Sequence, residues 1–184
     1  MSTKQISIPF VHNDLLALRT GERVELSGIL YTARDAAHKR MIETLEEGGA
    51  LPIDVKDQTI YYVGPTPPKP GSVIGSAGPT TSGRMDKYAP ILIELGLKGM
   101  IGKGKRNQEV KDSMIKHQAV YFAAVGGAAA LIAKTIKSSQ VVAYEDLGTE
   151  AIYRLEVEKF PVIVINDVYG GDLYQEGQAN FRVE

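Results

Sequence analysis

Apolar residues along this chain recur in two rhythms, one of period two and one of three to four. Residues 4–10 alternate at Ile6, Ile8 and Phe10 and predict a strand; Pro9 cannot donate to a ladder, which places that strand at a sheet edge. After a short helical piece at residues 15–19, Val24, Leu26 and Ile29 continue the alternation, predicting a strand over residues 22–31 with Gly28 as a bulge. The rhythm then lengthens. Ala37, Met41, Ile42 and Leu45 share one helical face, so Thr32-Ala33-Arg34-Asp35 opens a helix that Gly48-Gly49 ends. Residues 58–63 predict a further strand, followed by a stiff Pro-rich connector over residues 64–71.

Residues 72–77 read as a buried strand running into a tight turn. Met85, Tyr88, Ala89 and Leu92 follow at helical spacing, with a kink or restart expected at Pro90. Residues 97–101 predict a short strand, Asn107 caps a helix to about Lys116, and residues 119–125 predict a buried strand. A close turn at Gly126-Gly127, an alanine-rich helix over residues 128–136, strands over 141–144, 151–157 and 160–166, and a loop-like tail from Gly170 complete the chain. Strands alternating with helices predict an α/β fold, with a mixed sheet and flanking helices in a single domain.

Composition narrows the field of functions. The chain has 184 residues and a formal net charge of -1, so nothing global favours nucleic acid or an anionic membrane. Cysteine is absent, which excludes a disulfide framework and thiolate ligation of zinc or iron–sulfur clusters by this chain. No apolar run reaches transmembrane length and no secretory leader is evident at Met1, which makes the cytoplasm the expected location. Tryptophan is absent and only 4 Phe are present, predicting an aliphatic core with Tyr at its margins.

Candidate chemistry collects at three openings, each following a strand and each carrying a cation: Arg34, Arg84 and Lys103. Parallel neighbouring strands would bring these cations, with Thr80, to one edge, a trio suited to a small dicarboxylate. The stretch Gly78-Pro79-Thr80-Thr81-Ser82-Gly83-Arg84-Met85-Asp86 adds hydroxyls and glycines at a predicted helix start, where free N–H groups favour anions. Lys105 and Arg106 are expected in a basic surface turn. Asp35 and Arg34 each share a helix face with His38, as local pairs or as a dyad. His12, His38 and His117 lack metal-site spacing, and neither a Walker sequence nor GxGxxG is present.

Several longer stretches carry a resemblance. Tyr31-Thr32-Ala33-Arg34-Asp35-Ala36-Ala37-His38, the residue 78–86 motif, Ile101-Gly102-Lys103-Gly104, Ala124-Val125-Gly126-Gly127-Ala128-Ala129-Ala130, Glu150-Ala151-Ile152 and Val157-Glu158-Lys159-Phe160-Pro161 resemble the iron–sulfur-dependent hydro-lyases. The similarity is to the β subunit or C-terminal domain of class I fumarases and L-tartrate dehydratases, and runs from about residue 20 to residue 175.

The resemblance implies a swivelling β/β/α domain spanning residues 1–184 that closes over a 4Fe–4S cluster held by cysteines of a partner. It implies the β subunit of a heteromeric fumarate hydratase, with the L-tartrate or another 2-hydroxy dicarboxylate dehydratase as the alternative and a non-catalytic anion-binding scaffold as a third reading. Arg34, Arg84 and Lys103 become substrate-carboxylate ligands, with Lys105 a weaker claimant beside Lys103. Thr80 becomes the group that moves the C3 proton; Thr81 stands beside it, behind only on motif position. An open iron of the partner's cluster would act as Lewis acid on the hydroxyl. The chain by itself should be inactive and, with an apolar surface uncovered, prone to self-association.

Overall fold

A computed structural model describes residues 3–124 and 129–181. Among the described residues seven strands form one sheet: β1 (Lys4–Ile8), β2 (Arg23–Thr32), β3 (Thr59–Tyr61), β4 (Gly99–Gly102), β5 (Val120–Ala124), β6 (Ile136–Ala143) and β7 (Ile152–Asn166). Their order is β1-β2-β3-β4-β5-β7-β6, and β2 also pairs with β7, which curls the sheet into a closed, barrel-like ring. Strands β2, β3, β4 and β5 run parallel, while β7 runs antiparallel to both β2 and β5. With β1, which pairs parallel to β2, all five therefore end on one rim.

Alternation along the strands divides the core between two faces. Tyr61, Ile101, Phe122, Leu26 and Val162 belong to one buried cluster, and their neighbours Ile60, Tyr62, Met100 and Tyr121 to another. The second cluster is covered by α2 (Asp35–Glu46), α3 (Ala89–Glu94) and α4 (Gln108–His117) through Met41, Ile42, Leu92, Ile93, Val110 and Met114. The remaining helices are α1 (His12–Leu16), α5 (Ala129–Thr135) and α6 (Leu173–Phe181). None of the described helices is long and apolar enough to cross a membrane.

The α/β class and the mixed sheet with flanking helices agree with the sequence pattern. Gly28 does interrupt the β2–β7 register, as its bulge signal predicts, and a Cβ there would lie within 2.0 Å of the Ile8 carbonyl oxygen. Pro90 falls in the first turn of α3, so the predicted helix restarts there instead of continuing from Met85. The Asn107 cap also forms, its Oδ1 accepting the Val110 N–H at 2.9 Å.

Elsewhere tertiary context overrides local pattern. Residues 72–77 form no strand: Thr66 and Ser76 pair across the Pro-rich loop, and Ser72 and Val73 stay exposed. The two apolar runs at 151–157 and 160–166 join into the single strand β7, with Lys159 at φ 53° as the joint. The tail forms α6 where a loop was expected, its start held by Asp172 Oδ1 accepting the Tyr174 N–H at 3.0 Å. Three tyrosines expected at the margins, Tyr61, Tyr62 and Tyr121, are fully buried. The Gly126-Gly127 turn and the first residue of the alanine-rich helix lie outside the described residues.

Candidate active site

The rim at the ends of β2, β3 and β4 is shaped by an inserted segment. Tyr62 donates its N–H to the Ile101 carbonyl at 2.8 Å, after which β3 and β4 part. Thr80 enters the gap, donating its N–H to the Tyr62 carbonyl at 2.7 Å and accepting the Lys103 N–H at 3.3 Å. Ser82 then donates its N–H to the Lys103 carbonyl at 2.8 Å, and Thr81 bridges Lys103 as a parallel partner. Residues 80–82 thus act as a supplementary strand end, with the half-buried Thr80 fixed by backbone on both sides and Thr81 and Lys103 exposed.

A glycine makes that insertion fit. A Cβ on Gly102 would stand 1.9 Å from Ser82 Oγ, so only glycine leaves room for the serine. The Ser82 hydroxyl meets the Tyr121 hydroxyl at 2.8 Å. Tyr121 donates to the Gly104 carbonyl, also at 2.8 Å, so Ser82 is the donor in the first bond. Burial pushes the Tyr121 phenol well above its ordinary range, keeping it a neutral donor.

The predicted helix start at the motif is a single 3-10 turn, Ser82–Met85, with no side-chain cap bond. Four residues carry little macrodipole, so the anion attraction expected of a helix N-terminus is replaced here by side-chain charge. Arg84 follows β3 through the long loop, with no strand of its own before it. Arg34 and Arg84 nevertheless meet at one carboxylate: Asp35 Oδ1 accepts Arg84 Nε at 2.8 Å, and Asp35 Oδ2 lies 3.7 Å from Arg34 Nη2. Glu150 reaches in from the segment Glu145–Glu150, its Oε1 lying 3.4 Å from Arg34 Nη2 and its Oε2 accepting the Ala36 N–H at 2.9 Å. Gly64 provides the floor under Arg34, since a Cβ there would stand 2.9 Å from Nη1.

Arg34, Thr80, Arg84 and Lys103 therefore gather at one rim, Arg34 through β2, Thr80 between strand ends, Lys103 at the end of β4 and Arg84 one turn past Thr81. A hollow of about 540 Å³ lies elsewhere, between the Pro-rich loop and α5, lined by Thr66, Lys69, Ile74, Ser76 and Lys134, and includes none of the four.

Arg106 departs furthest from expectation. It is no surface residue: its side chain is fully buried, with Nε donating to Asp86 Oδ1 at 2.6 Å and the guanidinium stacked over the Tyr62 and Tyr121 rings. Asp86 Oδ2 accepts the Asn107 N–H at 2.7 Å, so the last residue of the motif clamps the start of α4. Lys105 remains exposed. His38 is buried beneath Arg34. Both its N–H and its Nδ1 meet the Arg34 carbonyl at 2.9 Å, which makes Nδ1 the protonated ring nitrogen. Burial pushes the imidazole down to about 4, so His38 is neutral near pH 7 and supports Arg34 as an uncharged donor.

Glu150 stood in one of the stretches that carry the resemblance but was given no part at the rim, because its partners lie more than a hundred residues away in sequence; the Asp86–Arg106 pair was missed as well. Asp35 was visible only as a neighbour of His38; its position beside Arg34 was the clue to its part at the rim.

A family model described as fumarase C-terminus matches residues 2–177. The chain is 42% identical over 158 residues to fumarate hydratase class I, aerobic, of Escherichia coli (strain K12), covering 85% of this chain and 29% of that protein. It is 39% identical over 171 residues to fumarate hydratase 2 of Leishmania major, covering 92% and 30%. With the "Putative L(+)-tartrate dehydratase subunit beta" of Methanocaldococcus jannaschii it is 39% identical over 169 residues, covering 89% of this chain and 87% of that protein. It thus spans less than a third of the two fumarate hydratases and most of the tartrate dehydratase subunit.

Proposed function

Because the chain belongs to the fumarase C-terminus family, we propose that it is the carboxylate-binding β subunit of a heteromeric hydro-lyase interconverting fumarate and malate. The supporting observation is the meeting of Arg34, Arg84, Lys103 and Thr80 on one rim, half of a pocket that a second polypeptide would close by a swivel of this domain. The two arginines and the lysine bind the carboxylates of the dianion. They also stabilise the charge that builds on the carboxylate beside C3 as its proton leaves. Thr80, locked by backbone bonds to Tyr62 and Lys103, holds or relays that proton, with the flanking cations favouring its oxygen as acceptor. Thr81, the exposed neighbour, contributes a further hydroxyl to the substrate side.

The family's iron–sulfur cluster does not fit the donors of this chain, which has no cysteine. Its ligands would belong to a partner α subunit.

The L-tartrate dehydratase reading is favoured by one specific observation, the 87% coverage of the relative that bears that name. The two are separated by assay. This chain, combined anaerobically with its cluster-bearing partner, is expected to convert fumarate to malate; conversion of L-tartrate with fumarate untouched would select the second reading. Arg84→Ala should lower kcat/KM by about a hundredfold or more while the subunits remain assembled. Full activity in that variant would leave only a scaffold role for the rim.

A further inference from the structure

The carboxylate of Asp35 sits among the cations assigned to substrate, and at first inspection it competes with substrate for them. Its geometry gives it a different part. Asp35 takes Arg84 by Nε alone, at 2.8 Å, and among the described residues the Nη atoms of Arg84 make no hydrogen bond. A guanidinium presents two bidentate edges, one including Nε and one formed by the two Nη groups. A tether at Nε fixes the plane of the group and leaves the Nη edge to take a carboxylate. Arg84 needs such a tether. Its side chain is 52% exposed, on a single 3-10 turn, where a long flexible residue would otherwise sample many rotamers.

Asp35 is itself well placed to hold a neighbour still. It is the first residue of α2, whose start is pinned by Glu150 on the Ala36 N–H and by His38 on the Arg34 carbonyl. Its other oxygen, Oδ2, is buried, makes no hydrogen bond among the described residues and lies 3.7 Å from Arg34 Nη2, near enough to keep the two guanidinium groups side by side despite their like charge.

The geometry assigns Asp35 as a positioning residue for Arg84: its Oδ1 tethers Nε, so that the Nη edge is pre-set for a carboxylate ligand. The inference deepens the hydro-lyase reading and rests on it for the identity of the ligand. It separates two properties of Asp35, the acceptor oxygen and the negative charge. Asp35→Asn keeps an acceptor and removes the charge, which opposes dianion binding; Asp35→Ala removes both.

Two measurements test it. In nitrogen-15 spectra of the full chain, the Arg84 Nε–H resonance, identified by its loss in Arg84→Lys, should be resolved and slow to exchange in wild type and in Asp35→Asn. It should merge with the exposed arginine signals in Asp35→Ala. In the assembled enzyme, Asp35→Ala should lower kcat/KM for the dicarboxylate about tenfold, mainly through KM, whereas Asp35→Asn should stay within about threefold of wild type. An unchanged Nε–H signal in Asp35→Ala, or equal kinetic losses in the two variants, would overturn the assignment. A wild-type complex without hydro-lyase activity would overturn the functional reading instead, while the resonance would still decide the tether.

Discussion

Asp86→Ala is the perturbation whose consequence is most closely fixed by the structure. The Asp86 carboxylate accepts Arg106 Nε at 2.6 Å and the Asn107 N–H at 2.7 Å, and the Arg106 side chain is 0% exposed. Among the described residues Arg106 Nη2 has no partner and Asp86 is the carboxylate paired with the guanidinium, so no second anion stands ready to replace it. Alanine would leave a buried cation facing neutral groups alone: two tyrosine rings, the Tyr62 hydroxyl at 3.4 Å from Nη1 and a weak contact to Met100 Sδ, also at 3.4 Å. Two charge-assisted hydrogen bonds lost, together with an uncompensated buried charge, imply a cost of about 3–5 kcal/mol. For a domain of this size, that corresponds to a fall in Tm of roughly 6–20 °C. Urea unfolding followed by far-UV circular dichroism should show a lower midpoint at unchanged slope. Because the loss comes from stranding Arg106, the double variant Asp86→Ala/Arg106→Met should be more stable than Asp86→Ala alone. A loss below about 1 kcal/mol, or a double variant as unstable as the sum of the singles, would refute the reasoning.

Two further expectations concern the same region. The His38 imidazole is depressed from 6.5 to about 4 in the folded chain, so the unfolded chain binds the extra proton first as pH falls. The neutral ring's contribution is complete above the unfolded value and is lost on going down through the folded one, amounting to about 3 kcal/mol between pH 6.5 and 4. His38→Asn, which keeps a donor for the Arg34 carbonyl, should flatten stability against pH across that window relative to wild type; parallel curves would contradict the burial argument. Gly102→Ala should destabilise the chain by about 1–3 kcal/mol in urea, because the new methyl meets Ser82 Oγ. Adding Ser82→Ala should recover part of that loss, since the remaining Ser82 Cβ lies 3.3 Å away, and no recovery would place the strain elsewhere.

Where a signal was local, the chain declared it. Alternation at Val24 and Leu26, the helical face of Ala37, Met41 and Ile42, the Asn107 cap and the restart at Pro90 depend on steric and hydrogen-bonding preferences within a few residues. The four rim residues were legible for a related reason: each lies in or beside the turn that follows a strand or its inserted equivalent, and parallel strands deliver such turns to one edge.

What the tertiary structure alone decided is every matter of pairing across distance. Nothing near Arg106 in sequence tells a surface arginine from one buried against Asp86, because desolvation depends on the rings of Tyr62 and Tyr121 that happen to enclose it. Closure of β2 on β7, the insertion of residues 80–82 between β3 and β4, and the arrival of Glu150 at Arg34 likewise follow from how the sheet curls. The sequence by itself determined which residues carry charge and where strands end. Only packing fixed which charges are neutralised and which remain available to a ligand, since that balance is set by groups that meet only once the ring has closed.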